Sequence, residues 1–130
     1  MRIFRVMVEV DDLARATAFY AELLGVRVRD IPRASRTYFD CGDVILAVVD
    51  VSRAGEPPKP SATDLYFSVK DVGAVHARAT ALGALSTRDV HDAAAGEVVV
   101  RPWGERSFYA VDPWGNKLCF ADETTLFTGR

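Results

Sequence analysis

Val8-Glu9-Val10-Asp11-Asp12-Leu13 decides the fold, because the chain repeats it as Phe67-Ser68-Val69-Lys70-Asp71-Val72. In each copy an alternating strand runs into an aspartate placed to open a helix, and Asp12 and Asp71 stand 59 residues apart. Further on, Arg36-Thr37-Tyr38-Phe39-Asp40 is echoed by Arg106-Ser107-Phe108-Tyr109-Ala110 at an offset of 70. Each half therefore reads strand, helix, then several strands. Two copies of a module too short to close a core alone imply a fold built by pairing modules. Such a pair creates a shared concave surface, where ligands usually bind.

Outward from this stretch, the first strand runs from about Ile3 to Val10. Phe4, Val6, Val8 and Val10 form its core row, and Arg5, Met7 and Glu9 form the other, so one side packs on a helix layer. Asp12 is the N-cap of a helix whose apolar set, Leu13, Ala16, Phe19, Tyr20, Leu23 and Leu24, has a 3.6-residue period. Gly25 ends it. Arg36 to Cys41, a turn at Gly42-Asp43, and Val44 to Val51 read as a hairpin. Pro57, Pro58 and Pro60 mark a linker.

The second module opens with Asp64 to Lys70, where Leu65, Phe67 and Val69 face the helix and Asp64, Tyr66, Ser68 and Lys70 face away. A helix follows from Val72 to Leu82, stopped at Gly83, and a loop from Asp89 to Gly96 leads to Val98-Val99-Val100. Two further strands flank the turn Asp112-Pro113-Trp114-Gly115-Asn116, whose proline and glycine supply the angles of a tight reversal. The expected class is α+β: two strand-helix-strands modules forming a curved sheet trough with helices outside. Residues 1–54 make the first module, 55–62 the linker and 63–130 the second.

Composition bounds the partners. A net charge of −2 without a basic run argues against nucleic acid. No apolar stretch is long enough to span a bilayer, and Met1-Arg2-Ile3-Phe4 runs straight into a patterned strand, so no membrane partner and a cytoplasmic location are expected. Cys41 and Cys119 lie in strand-like runs without metal or redox spacing and read as packed, reduced thiols. His76 falls in the second helix and His91 in a loop; both read as packing or surface residues.

Tyr38, Tyr66, Tyr109, Trp103 and Trp114 lie on or near the rows facing away from the helices, where tyrosines are not needed to fill the core. Phe39, Phe67, Phe108 and Phe120 are assigned to the core. Arg5, Glu9 and Asp64 add charge to the same rows. Together Arg5, Glu9, Tyr38, Asp64, Tyr66, Trp103, Tyr109 and Trp114 form the candidate ligand-binding set. No catalytic set stands out, since no Ser/His/Asp arrangement and no glycine-rich phosphate loop is present.

These motifs, with Phe19-Tyr20, Leu24-Gly25, Arg101-Pro102-Trp103-Gly104 and the Asp112 to Asn116 turn, resemble the vicinal oxygen chelate superfamily. That superfamily holds glyoxalases, extradiol dioxygenases and the fosfomycin and bleomycin resistance proteins. The resemblance implies paired βαβββ modules and, commonly, a homodimer whose clefts combine modules from both chains. It also implies a divalent cation bound by His, Glu or Gln from four strands, at positions that fall here on Arg5, approximately Ala47, Asp64 and Cys119. A guanidinium stays protonated and an alanine has no donor, so no metal and no cofactor are expected.

Without a Lewis acid the resemblance points to the bleomycin-resistance type: a metal-free, non-enzymatic protein that sequesters a planar aromatic or peptide-like natural product in a dimer cleft. A metal-dependent glyoxalase- or dioxygenase-type enzyme and an accessory protein of small-molecule biosynthesis are the alternatives. Arg5 and Asp64 are expected to pair at the vacated metal position, across the subunit interface of the dimer.

Overall fold

In a computed structural model that describes residues 1–127, Asp12 and Asp71 play the same part. Asp12 Oδ1 accepts from the Arg15 amide at 3.1 Å, and Asp71 Oδ1 from the Ala74 amide at 3.0 Å. Each satisfies an amide that the first helical turn leaves without a partner. The backbone falls into two units, one ending at Ser61 and the next beginning at Ala62.

In the first unit, β1 (Arg5–Val10) leads into α1 (Leu13–Leu24), followed by β2 (Val28–Ile31), β3 (Arg36–Cys41) and β4 (Val44–Asp50). The sheet order is β1-β4-β3-β2, with β1 parallel to β4 and the other pairs antiparallel. The parallel pair needs a crossover, which α1 provides. α1 buries Ala16, Phe19, Tyr20 and Leu23, and the helix-side row of the sheet buries Val8, Val10, Phe39, Leu46 and Val48. Tyr20 and Phe39 meet at 5.9 Å between ring centroids. Each such side chain contributes about 1.5–3 kcal/mol through burial. Thr37, also fully buried there, shares a 2.9 Å hydrogen bond with Thr17 of the helix. Gly25 closes α1 at φ +62°, its amide returning to the Ala21 carbonyl.

The core row assigned to the first strand needs one correction. The strand begins at Arg5, and Phe4, one residue before the ladder, is 54% exposed. Its ring packs against the Arg5 guanidinium instead of the helix layer.

The second unit repeats the topology. β5 (Leu65–Val69), α2 (Val72–Ala81), β8 (Val99–Val100), β9 (Arg106–Val111) and β10 (Lys117–Asp122) give the order β5-β10-β9-β8. Phe67, Phe120 and Phe108 stack in line, at 5.1 and 5.3 Å. His76 of α2 stands edge-on to Phe108 at 4.9 Å, a packing histidine. Asp112 and Asn116, both buried, hold the turn before β10. The Asp112 carboxylate accepts from the amides of Trp114 and Asn116 and from the Asn116 side chain at 2.8–2.9 Å.

The segment read as a loop is partly strand. β6 (Asp89–Val90) pairs with β7 (Ala93–Ala94) around His91 and Asp92, whose φ values of +50° and +59° have the signs of a type I′ turn. This hairpin is fastened by Arg101, whose guanidinium donates to the carbonyls of Ala95, Glu97 and Ser107 and to Ser107 Oγ at 2.9–3.3 Å. Gly96 passes so close to the neighbouring strand-like segment that a Cβ there would sit 2.6 Å from the Ser86 carbonyl oxygen.

Arg101→Ala strands three carbonyl acceptors at once. It should destabilise the protein by about 3 kcal/mol in denaturant titration, since each buried unsatisfied group costs about 1–3 kcal/mol. Hydrogen exchange should accelerate at residues 87–97 before it does in β1 or β4. Unchanged protection of the hairpin would show that Arg101 does not hold it.

Candidate functional site

The face of each sheet turned away from its helix follows from the register. In the first unit it carries Arg5, Met7 and Glu9 from β1 and Ile45, Ala47 and Val49 from β4. Arg36, Tyr38 and Asp40 come from β3, and Arg29 and Ile31 from β2. Ala47, small and buried, stands between Met7 and Tyr38 in the register, and Ile45 stands beside Arg5. The guanidinium lies 4.9 Å from the centroid of the Tyr38 ring and 5.1 Å from that of Phe4. Met7 beside it is 59% exposed. Asp40 is gripped by Arg29 at 2.6 Å, with Arg27 at 4.0 Å. Glu9 accepts from the Lys59 amide at 3.0 Å. This face is open, aromatic and cationic.

The corresponding face of the second unit carries Asp64 just before β5, then Tyr66, Tyr109 and Cys119, with Ser107, Ala121 and Arg101 beyond them. Here the hairpin lies over the sheet. Ala95 packs with Tyr109 and Cys119, joined by Val90. The Arg88 and Arg101 guanidiniums approach the Tyr109 ring at 4.9 and 5.0 Å. Tyr109, expected as a ligand-binding wall, is only 2% exposed. Tyr66 remains 63% exposed and meets Tyr109 edge-on at 6.4 Å. A shallow depression of about 250 Å³ beside it is lined with Ser68, Ala121, Glu105 and Phe127.

The two tryptophans take places of their own. Trp103 Nε1 donates to Glu105 at 2.7 Å while the ring meets His91 at 5.0 Å. Trp114 is half-buried in the turn before β10. Of the eight candidates, then, Arg5 and Tyr38 are brought together in one unit, and Asp64, Tyr66 and Tyr109 in the other. Within the second unit Asp64 pairs with Arg88, at 2.6 Å. The hairpin delivers Arg88 locally, and one short charge-assisted bond occupies the carboxylate.

Burial pushes the Cys119 thiol up to about 11, against partial relief from hydrogen bonds with Ser107 and Tyr109. Burial, together with the Tyr66 hydrogen bond, raises the Tyr109 phenol above its ordinary range. The four positions that the resemblance assigns to a metal are therefore a guanidinium, a methyl group, a carboxylate bonded to arginine and a thiol held in its protonated form. Zinc needs convergent deprotonated or neutral donors, and this donor set does not fit it. Among the described residues no three His, Cys, Asp or Glu side chains gather to hold an ion.

A family model described as the Glyoxalase/Bleomycin resistance protein/Dioxygenase superfamily matches residues 2–120. The chain belongs to that superfamily. A solved superfamily member from Sphaerobacter thermophilus DSM 20745 is 19% identical, with 95% of this chain and 98% of that one covered and a TM-score of 0.72. Lactoylglutathione lyase from Agrobacterium tumefaciens is 22% identical over 93% and 92% of the two chains, with a TM-score of 0.65. TioX from Micromonospora sp. ML1 is 22% identical over 95% and 99%, with a TM-score of 0.69. At such identities these likenesses to the superfamily speak for the fold alone. No curated protein sequence matches this chain.

The raised thiol has a sign that can be checked. In the folded state Cys119 keeps its proton to about 11, whereas the ordinary thiol value is 9.0. Its contribution is fully present below 9.0 and is lost as pH rises through about 11. Denaturant titrations across that window should show stability falling with pH, and Cys119→Ala should flatten the fall. An equal slope in the variant would exclude Cys119 as a source.

Proposed function

We propose that this superfamily member is a metal-independent binding protein that sequesters a planar aromatic or peptide-like natural product, as the bleomycin resistance type does. The observation that carries this reading is Arg5. It stands where the resemblance places a metal ligand, yet it lies against Tyr38 and Phe4 on an open sheet face. A permanent cation there opposes a divalent ion, while the surrounding rings and Met7 offer flat apolar area. Each aromatic contact adds about 0.5–1.5 kcal/mol beyond area burial, so a few support micromolar affinity.

The binding form is a homodimer, with the cleft completed by a second copy. Exposed Ile3, Phe4 and Met7 at and before the outer strand β1 are the kind of apolar surface that association would cover.

Calorimetric titration of planar aromatic compounds should reveal micromolar ligands whose affinity is unchanged by exhaustive chelation and weakened about tenfold or more by Tyr38→Ala. Elemental analysis of protein purified without chelator should find far less than one zinc, nickel, manganese or iron per chain. Near-stoichiometric metal, or ligand affinity abolished by chelation, would favour a metal enzyme instead. Sedimentation should give about twice the chain mass of 14.3 kDa, and a monomer at every concentration would remove the dimer cleft.

A further inference from the structure

We infer that the ligand of the open face is an aromatic anion, a planar ring system bearing a carboxylate; this rests on reading that face as the binding site. The charge count of the face is the first ground. Arg5, Arg27, Arg29 and Arg36 stand against Asp40 and Glu9, a local net charge of +2 in a chain whose total is −2. The single Asp40 carboxylate is shared between Arg27 and Arg29. Glu9 already accepts a backbone amide.

The second ground is the condition of the two remaining cations. Among the described residues no carboxylate lies within ion-pair distance of Arg5 or Arg36. Arg36 Nε donates to the Ala34 carbonyl at 3.2 Å. Arg5 is held by ring contacts with Tyr38 and Phe4, which position the guanidinium without spending its N–H donors. A guanidinium fixed this way presents a planar fork that matches a carboxylate bidentately, next to the tyrosine face on which an arene would stack. A cationic ligand would instead meet four arginines. The carboxylate seats on Arg5, the ring lies toward Tyr38 and Met7, and Arg36 adds attraction from the far side of Tyr38.

The test compares 2-naphthoate with its neutral isostere 2-naphthamide by calorimetry on the full-length protein. The acid should bind about tenfold tighter or more, since a charge-assisted hydrogen bond to the carboxylate is stronger than the neutral one the amide can make. Arg5→Gln should remove that preference, so that acid and amide bind the variant equally whatever happens to amide affinity itself, with Arg36→Gln producing a smaller loss. Raising salt from about 50 to about 500 mM should weaken the acid and spare the amide, a readout that needs no variant. If both compounds bind equally, the anionic specificity is overturned and aromatic binding stands. If neither binds, the aromatic-binding reading falls and this inference with it.

Discussion

The burial of Arg101 is the constraint on which the second unit depends. Its side chain is 2% exposed, and no carboxylate neutralises it among the described residues. Charge taken out of water in this way is costly unless dipoles replace the lost hydration. Here the carbonyls of Ala95, Glu97 and Ser107 point their oxygens at the guanidinium, and the Tyr109 ring covers it at 5.0 Å. Nη1 is left as a buried group without a hydrogen bond. The arrangement is tolerable only while the hairpin stays closed, so the cation and the hairpin hold each other in place. Cys119 and Tyr109 keep their protons because the same closure excludes water from them.

That closure makes two modules of identical topology unequal. Both sheets run in the order first, last, third, second strand of the module, and both helices start at an aspartate cap. Yet one sheet presents Arg5, Tyr38 and Met7 to the surroundings while the other seals Tyr109 and Cys119 under residues 88–95. A repeated module has two such faces, and here the hairpin covers one of them while Met7 and Arg5 stay exposed on the other. The exposed Tyr66 is what remains of the second.

The frame was legible because it rests on period and punctuation. Val8 and Val10 alternate into Asp12, Gly25 takes a positive φ, and Gly42-Asp43 joins two strands, each a local rule that tertiary packing did not override. The hairpin was not legible as structure, since Asp, His and Ala over residues 89–95 lack strand pattern and its turn uses His91 and Asp92 in place of glycine. One signal was present: the spacing between the repeats widens after the helix, and the register, which matches Tyr38 with Tyr109 and Met7 with Tyr66, makes it 71 against 59, so 12 extra residues fall between helix and third strand of the second copy, the region of the hairpin. The fate of Tyr109 followed from that insertion, and so did the partner of Asp64, because Arg88 sits on the inserted segment. Rows of a strand predict which way a side chain points, but not what later folds across it.

Arg5 decides the chemical character of the face on which it stands. A histidine or glutamate at that strand position would point a lone pair or a negative charge into the open face, and a cation would complete it. Arginine reverses the sign and adds length. Its guanidinium lies against Tyr38, whose neighbour in the register on β4 is Ala47, a single methyl group. Lysine would keep the charge but lose the flat contact with Tyr38 and the planar fork, so charge alone does not define this surface. Arg5 and Tyr38 thus give this face a cation seated on a ring, beside an alanine, in place of the donor set that a metal ion needs.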